Sequence, residues 1–398
     1  MIKQRSLMER NKGKISIIFL IFLLMIFFAF TVPVCAVSTS SVDISTDELF
    51  EQIDLTEMEN YFNSLSFEQK SVFGGDFNEF IKTVTSGQAS IKFETIFAYF
   101  GSLIGINFKS VFPTALLILV VTIASGILSN IKSEFASASM QKIINFATVS
   151  CVCIISFGLI FSLIEDTSAL INSIKEQIET VFPPLFVLMS ALGADGSTAI
   201  FSPAVAVLSF SVTELVSVII LPTIIASIVT TVVGSITESG RLDKITKFFE
   251  SFAKGIMYSA FFIFIAFLSV QGITAGVRDN LKVRTAKFAL SKYVPVIGGY
   301  LAEGFNLVLA GTVLIKNAVG LTAVVLLFVT ILPVVIKVVV TSLILKLVGA
   351  LCEPFSAVGG VVSKIGNSLG ILISVVLGIA FCYFLFLILL ISSGNLVL

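Results

Sequence analysis

The chain has 398 residues, 56% hydrophobic and only 13% charged, with a mean hydropathy of +1.06. Soluble domains carry about a quarter charged residues, so this composition excludes an ordinary water-soluble protein and requires a bilayer. There is no His, which removes the usual general base and the commonest metal ligand. There is no Trp either, so any interfacial aromatic belt must use Tyr and Phe.

The formal net charge of zero hides three regions. Residues 1–14 carry five basic residues and one acid; residues 37–108 carry eleven acids and three lysines; the remainder carries seventeen basic residues and thirteen acids. The first region opens a secretory signal-peptide pattern: a basic start, an apolar run from Ile15 to Phe30, then "TVPVCA". Val34 and Ala36 supply small residues at −3 and −1, which places cleavage between Ala36 and Val37. The alternative is an uncleaved first membrane helix, because the apolar run is long. Val34 before Cys35 does not fit a lipoprotein site.

Residues 37–108 form an acidic, Cys-free segment expected outside the cytoplasm. "STDE" at Ser45–Glu48 and "SFEQ" at Ser66–Gln69 fit helix capping boxes. Phe93, Ile96, Phe97, Phe100 and Ile104 recur at helical spacing, so 91–106 reads as an amphipathic helix lying on the membrane. The acidic surface is accounted for by solvation, and it is also a plausible docking face for extracytoplasmic partners.

The membrane part contains an internal repeat. "FPTALLILVV", "LPTIIASIVT" and "LPVVIKVVVT" align on Pro113, Pro222 and Pro333, which are 109 and 111 residues apart. Each is followed by a Lys-Ile step (Lys142, Lys244, Lys364) and a long apolar helix. Units one and two then continue through a polar linker into a short helix broken by Pro and Gly, marginal in length for a crossing. This gives units over 109–220, 221–331 and a truncated 332–398. The expected fold is all-α: about eight transmembrane helices plus two short broken or re-entrant ones, preceded by a small helical domain.

The two linkers differ in charge. Residues 165–179 hold four acids and Lys175, whereas 278–292 hold Arg278, Lys282, Arg284, Lys287 and Lys292 against Asp279. Because Lys and Arg favour the cytoplasmic side, the second unit is expected to be inverted. Broken helices in inverted repeats frame the substrate site of many transporters. Candidate cavity residues are therefore Pro183, Pro184, Gly193 and Asp195 in one unit, and Pro295, Gly298, Gly299 and Glu303 in the other. Turns that merely pack helices explain the same residues. Charges inside apolar helices cost about 3 kcal/mol at mid-membrane on insertion scales, which marks Glu214, Lys316 and Lys337. Cys151, Cys153, Cys352 and Cys382 read as small buried apolar residues.

No Walker A loop, HExxH site or GxSxG elbow occurs, and a Ser-His-Asp triad is impossible without His. No enzymatic activity, cofactor, metal or nucleic-acid partner is expected.

"SVQG" at Ser269–Gly272 (with Gln271), "RTAKF" at Arg284–Phe288 (with Lys287), "VPVIG" at Val294–Gly298 and "KNAVGL" at Lys316–Leu321 (with Asn317) occur in one order. Together with the leader, the acidic segment and the length, they resemble the stage III sporulation protein AE family of endospore-forming bacteria. The resemblance is strongest from about Phe182 onward and weakest over 37–90. It implies a place in the mother-cell membrane around the forespore, and membership of a multiprotein channel or feeding-tube complex needed for late forespore gene expression. It implies no catalytic residues. Two readings stay open: a non-enzymatic complex subunit whose partners are the other subunits and the lipid bilayer, or a secondary transporter moving an unidentified small solute.

Overall fold

A computed structural model describes residues 53–86, 93–130, 138–236, 242–293, 298–354 and 358–393, with 93, 129–130, 138–139, 141–142, 212–213, 235–236, 271–293 and 298–307 as backbone alone. The signal-cleavage pair Ala36 and Val37, the capping box at Ser45 and Pro295 lie outside the described residues. Every regular element among them is helical, as the composition predicts.

Three short helices, α1 (Thr56–Ser64), α2 (Phe67–Ser71) and α3 (Phe77–Thr85), build the small acidic domain. The capping box expected at Ser66 is present: Ser66 Oγ accepts from Gln69 N at 3.3 Å, and Gln69 Oε1 accepts from Ser66 N at 2.9 Å. Asp76 caps α3 by accepting from Glu79 N at 2.8 Å. Gly74 and Gly75 turn the chain between α2 and α3 at φ of 85° and 98°, where a side chain would be strained. Phe62 packs on Phe73 and Phe77 in the centre, with ring centroids 5.2 and 5.6 Å away.

Seven further α-helices form the bundle: α4 (Phe93–Asn130), α5 (Ala138–Ala191), α6 (Asp195–Phe210), α7 (Leu221–Ile236), α8 (Leu242–Tyr293), α9 (Gly298–Cys352) and α10 (Val358–Ser392). A π-helix, Ser211–Ile220, joins α6 to α7. The surface helix expected over 91–106 is instead the first half of α4, which runs on through Pro113. Pro183 and Pro184 likewise sit inside α5, so the short helix expected there is the end of a 54-residue helix. Among the described residues, six helical stretches are long and apolar enough to cross a membrane.

Side-chain contacts fix the helix directions. Ser125 of α4 meets Thr148 of α5 at 2.7 Å, Thr230 of α7 meets Thr246 of α8 at 3.0 Å, and Ser342 of α9 donates to Gly366 O of α10 at 2.7 Å. These are three antiparallel hairpins. The hairpins share one orientation. Phe261 faces Phe381 and Lys364 pairs with Asp243 at 3.2 Å, so α8 and α10 are parallel. Tyr383 reaches Gln177 O and Ser393 reaches Met189 Sδ, so α5 and α10 are parallel as well. The second unit therefore runs with the first rather than inverted to it. Helix α8 carries 278–292 in the direction in which α5 carries 165–179. Charge bias reports which side a loop prefers, but helix contacts decide direction.

The α9/α10 hairpin fills the centre. Of the most apolar stretch, 67% is buried in α9 and 61% in α10, against 33% in α4 and α5. Phe386 of α10 joins α5, α6 and α8 through Phe182, Phe201 and Phe264.

Candidate functional site

Proline at position 333 of α9 has no N–H, so the carbonyl four residues earlier loses its helical donor. That carbonyl, Val329 O, is taken up from elsewhere. Gln69 Nε2 of α2 donates to it at 3.2 Å and the Tyr99 hydroxyl of α4 at 3.4 Å. One residue on, Thr330 Oγ1 bonds the Tyr61 hydroxyl of α1 at 3.2 Å. The acidic domain is thus moored to the turn of α9 that the proline opens. Burial pushes the Tyr61 phenol up to about 12, opposed by the Thr330 hydrogen bond and reinforced by the Glu176 carboxylate. Gln177, wholly buried beside it, has no hydrogen-bond partner of normal geometry for its amide among the described residues.

From Thr330 to the end of α9 is 22 residues, about 33 Å of helix, close to the roughly 30 Å hydrocarbon thickness of a bilayer. The surface of α5 changes character lower down, near the level of Lys337, seven residues below Thr330 along α9. Ile143, Phe146, Ile154, Phe157 and Phe161 are exposed below it, whereas Glu165, Asn172, Glu176 and Glu179 are exposed above. Lys337 sits at the change: its Nζ pairs with Asp166 and meets Ser162 Oγ at 3.0 Å.

Lys316 is fully buried, and its Nζ donates to Ile391 O at 2.9 Å and to Ser393 O. It caps the carboxyl end of α10, where carbonyls lack helical donors and the helix dipole favours a cation. Gly320, one turn on, lies under Ile391, and a Cβ there would come within 2.3 Å of Ile391 Cγ1. The "KNAVGL" stretch is therefore a seat for the end of α10, with Asn317 half-buried beside Lys316.

The proposed cavity residues are dispersed. Pro183 is exposed and Pro184 buried within α5. Gly193, at φ 76°, stops α5: Ala194 N bonds Met189 O at 2.9 Å and Gly193 N bonds Ser190 O at 2.8 Å, the glycine-terminated arrangement that closes many helices. Asp195 is exposed in the first turn of α6. Gly298, Gly299 and Glu303 lie on the first turns of α9, and Gln271, Arg284 and Lys287 on α8, all described as backbone. Glu214 is exposed on the π-helix.

Two adjoining apolar cavities, about 360 and 910 Å³, open instead beside the π-helix. They share Ser211, Leu215, Ala260 and Phe264. None of the residues proposed from the sequence lines either one. Of the cysteines, Cys382 lines the smaller cavity, Cys153 and Cys352 are buried as expected, and Cys151 is exposed. Among the described residues, no three Cys, Asp or Glu come together as a metal site.

The family model for stage III sporulation protein AE matches residues 75–394. The chain belongs to that family. A curated relative, stage III sporulation protein AE of Bacillus subtilis (strain 168), is 26% identical over 282 residues, which cover 70% of each chain. No solved structure matches. The family match begins inside the acidic domain, just before α3, and takes in every bundle helix. It includes Pro333, Lys316 and both linkers.

Proposed function

We propose that this chain is a non-enzymatic membrane subunit of the channel or feeding-tube complex that joins mother cell and forespore. In this reading it sits in the mother-cell membrane around the forespore, and its partners are the other subunits of the complex. Residues 1–36 act as a cleaved signal peptide, 37–108 lie outside the cytoplasm, and the three Pro-led hairpins are copies of one ancestral unit. Family membership supports a role in sporulation. The observation that carries the subunit reading is the filled centre of the bundle. Where a single-chain channel needs a path, α9 and α10 are packed side chain to side chain. Glu214 adds support: it is an exposed carboxylate midway along a 40-residue apolar helical stretch whose other charge, Asp195, lies at its very start; such a charge is costly against lipid, and a partner subunit would cover it.

Purified protein in liposomes tests this. The chain alone should pass no solute, and flux should require the other subunits. Flux through the chain alone, abolished by Glu214→Gln, would establish the transporter reading instead. The side of each linker is tested by thiol labelling in a background without native cysteines. A Cys at Lys287 should be labelled from the same face as a Cys at Asn63, since the hairpins run in parallel.

A further inference from the structure

We propose that the crevice between the π-helix, α8 and α10 is a binding site for a lipid acyl chain. The first observation is chemical. The smaller cavity is walled by Leu208, Leu215, Val216, Ile220, Phe264 and Ile379, all apolar. Its two serine hydroxyls are already committed: Ser211 Oγ donates to Val207 O at 2.7 Å and Ser374 Oγ to Gly370 O at 3.0 Å. Neither serine proton is left to anchor a polar solute, and Tyr258 is the one other hydroxyl-bearing residue among the described residues that line the cavity. A hydrocarbon needs no such anchor.

The second observation is placement. All three walls belong to stretches apolar enough to cross a membrane, and the larger cavity continues outward between Phe210, Phe252 and Ile263, which are exposed. The slot is thus continuous with the lipid-facing surface. It extends along α8 from Phe248 to Phe267, about 28 Å at 1.5 Å per residue. The cavities have the size of ligand sites, roughly 300–1,000 Å³, and a void that large beside bilayer would otherwise forfeit its packing contacts.

The third observation concerns the backbone. Ser211 and Ile220 both line the smaller cavity. At 3.6 residues per turn, the nine steps between them would put them about 180° apart, on opposite faces. The i→i+5 ladder of a π-helix stacks positions four and five apart, so Ser211, Leu215, Val216 and Ile220 share one wall. This rare helix is what makes the slot.

The natural chain has no Trp, so one introduced Trp reports unambiguously. In bilayers of phosphatidylcholine brominated on the acyl chain, Phe264→Trp should lose most of its fluorescence. Phe264 is 5% exposed and lines both cavities, so lipid merely surrounding the protein does not reach it. Phe182→Trp, 1% exposed and lining neither cavity, should stay bright. Adding Ser374→Phe to fill the slot should restore much of the Phe264→Trp emission. If Phe264→Trp does not fold, Phe261→Trp at the same cavity serves in its place. An unquenched Trp in the slot overturns the proposal, whether a helix of a second copy or the chain's own side chains fill the space. Equal quenching of Phe182→Trp also overturns it, because it would mean lipid penetrates without a site.

Discussion

The α9/α10 hairpin and the π-helix/α8 face are built from similar residues and reach opposite results. Their most apolar stretches have mean hydropathies of 2.9 and 2.9 in the hairpin, and 2.4 and 1.8 in Asp195–Gly234 and Leu242–Val270. Yet the buried share is 67% and 61% in the first pair and 39% and 17% in the second. Glycines make the difference. Gly349 meets Gly359 backbone to backbone, and Gly366 lies against Lys346 and Ser342, so α9 and α10 approach closely. In a bilayer, where lipid is as apolar as Leu, close packing of small residues rather than hydrophobicity drives helices together. On the other face, Phe210, Phe252, Phe262 and Ile263 point outward, so their bulk faces the bilayer rather than a neighbouring helix, and a slot stays open.

The contrast breaks most sharply at Gly359. A Cβ there would come within 2.4 Å of Glu353 N and 2.5 Å of Gly349 O, both backbone atoms. Gly359→Ala should destabilise the protein by about 3 kcal/mol, the upper part of the range for overpacking, measured as the unfolding midpoint in detergent. Next is Lys316→Met, which keeps the bulk and strips two carbonyls of their donor, at about 2 kcal/mol for hydrogen bonds to a charged group. Its mark should be loss of hydrogen-exchange protection in the last turn of α10. If that turn stays protected, the cap is not what seats it.

Smaller effects test the mooring of the acidic domain. Gln69→Ala should weaken docking by about 1 kcal/mol. In a Pro333→Ala background, the restored N–H competes for Val329 O, so the same substitution should cost less. A double-mutant cycle reads that coupling, and additive behaviour would remove the proline from the explanation. The Tyr61 phenol gives a pH test. Its value is raised to about 12 in the docked state, against about 10 when free. Docking is therefore at full strength below about pH 10 and is lost as pH climbs towards about 12. A fluorophore on Asn63→Cys should report this, and Tyr61→Phe should remove that part of the response. Least of all, Val218→Leu on the lipid-facing side should stay within about 0.5 kcal/mol of the parent protein. A larger loss would mean that face is covered.

Much of the molecule could be read from residue types alone. The apolar runs gave the helical class, "SFEQ" gave the cap of α2, and Lys316 and Lys337 were marked as charges in unusual surroundings. Their partners were not legible. Lys316 is held by backbone carbonyls, which every residue carries, and Lys337 by Asp166, 171 residues away. Pro333 stood out through its alignment with Pro113 and Pro222. Only the structure showed that the carbonyl it frees is where α2 and α4 attach. The π-helix left no trace, because an i→i+5 ladder uses the same apolar residues as an i→i+4 one.

The sequence by itself determined that this is a helical, multi-pass membrane protein of the stage III sporulation protein AE family, with an acidic helical domain before the bundle. Those properties follow from local composition, spacing and motif order. The parallel direction of the three hairpins, the packed centre and the open slot were decided by tertiary structure alone. Each depends on which side chains meet between two helices. That contact joins residues far apart in the chain, and hydropathy does not register it.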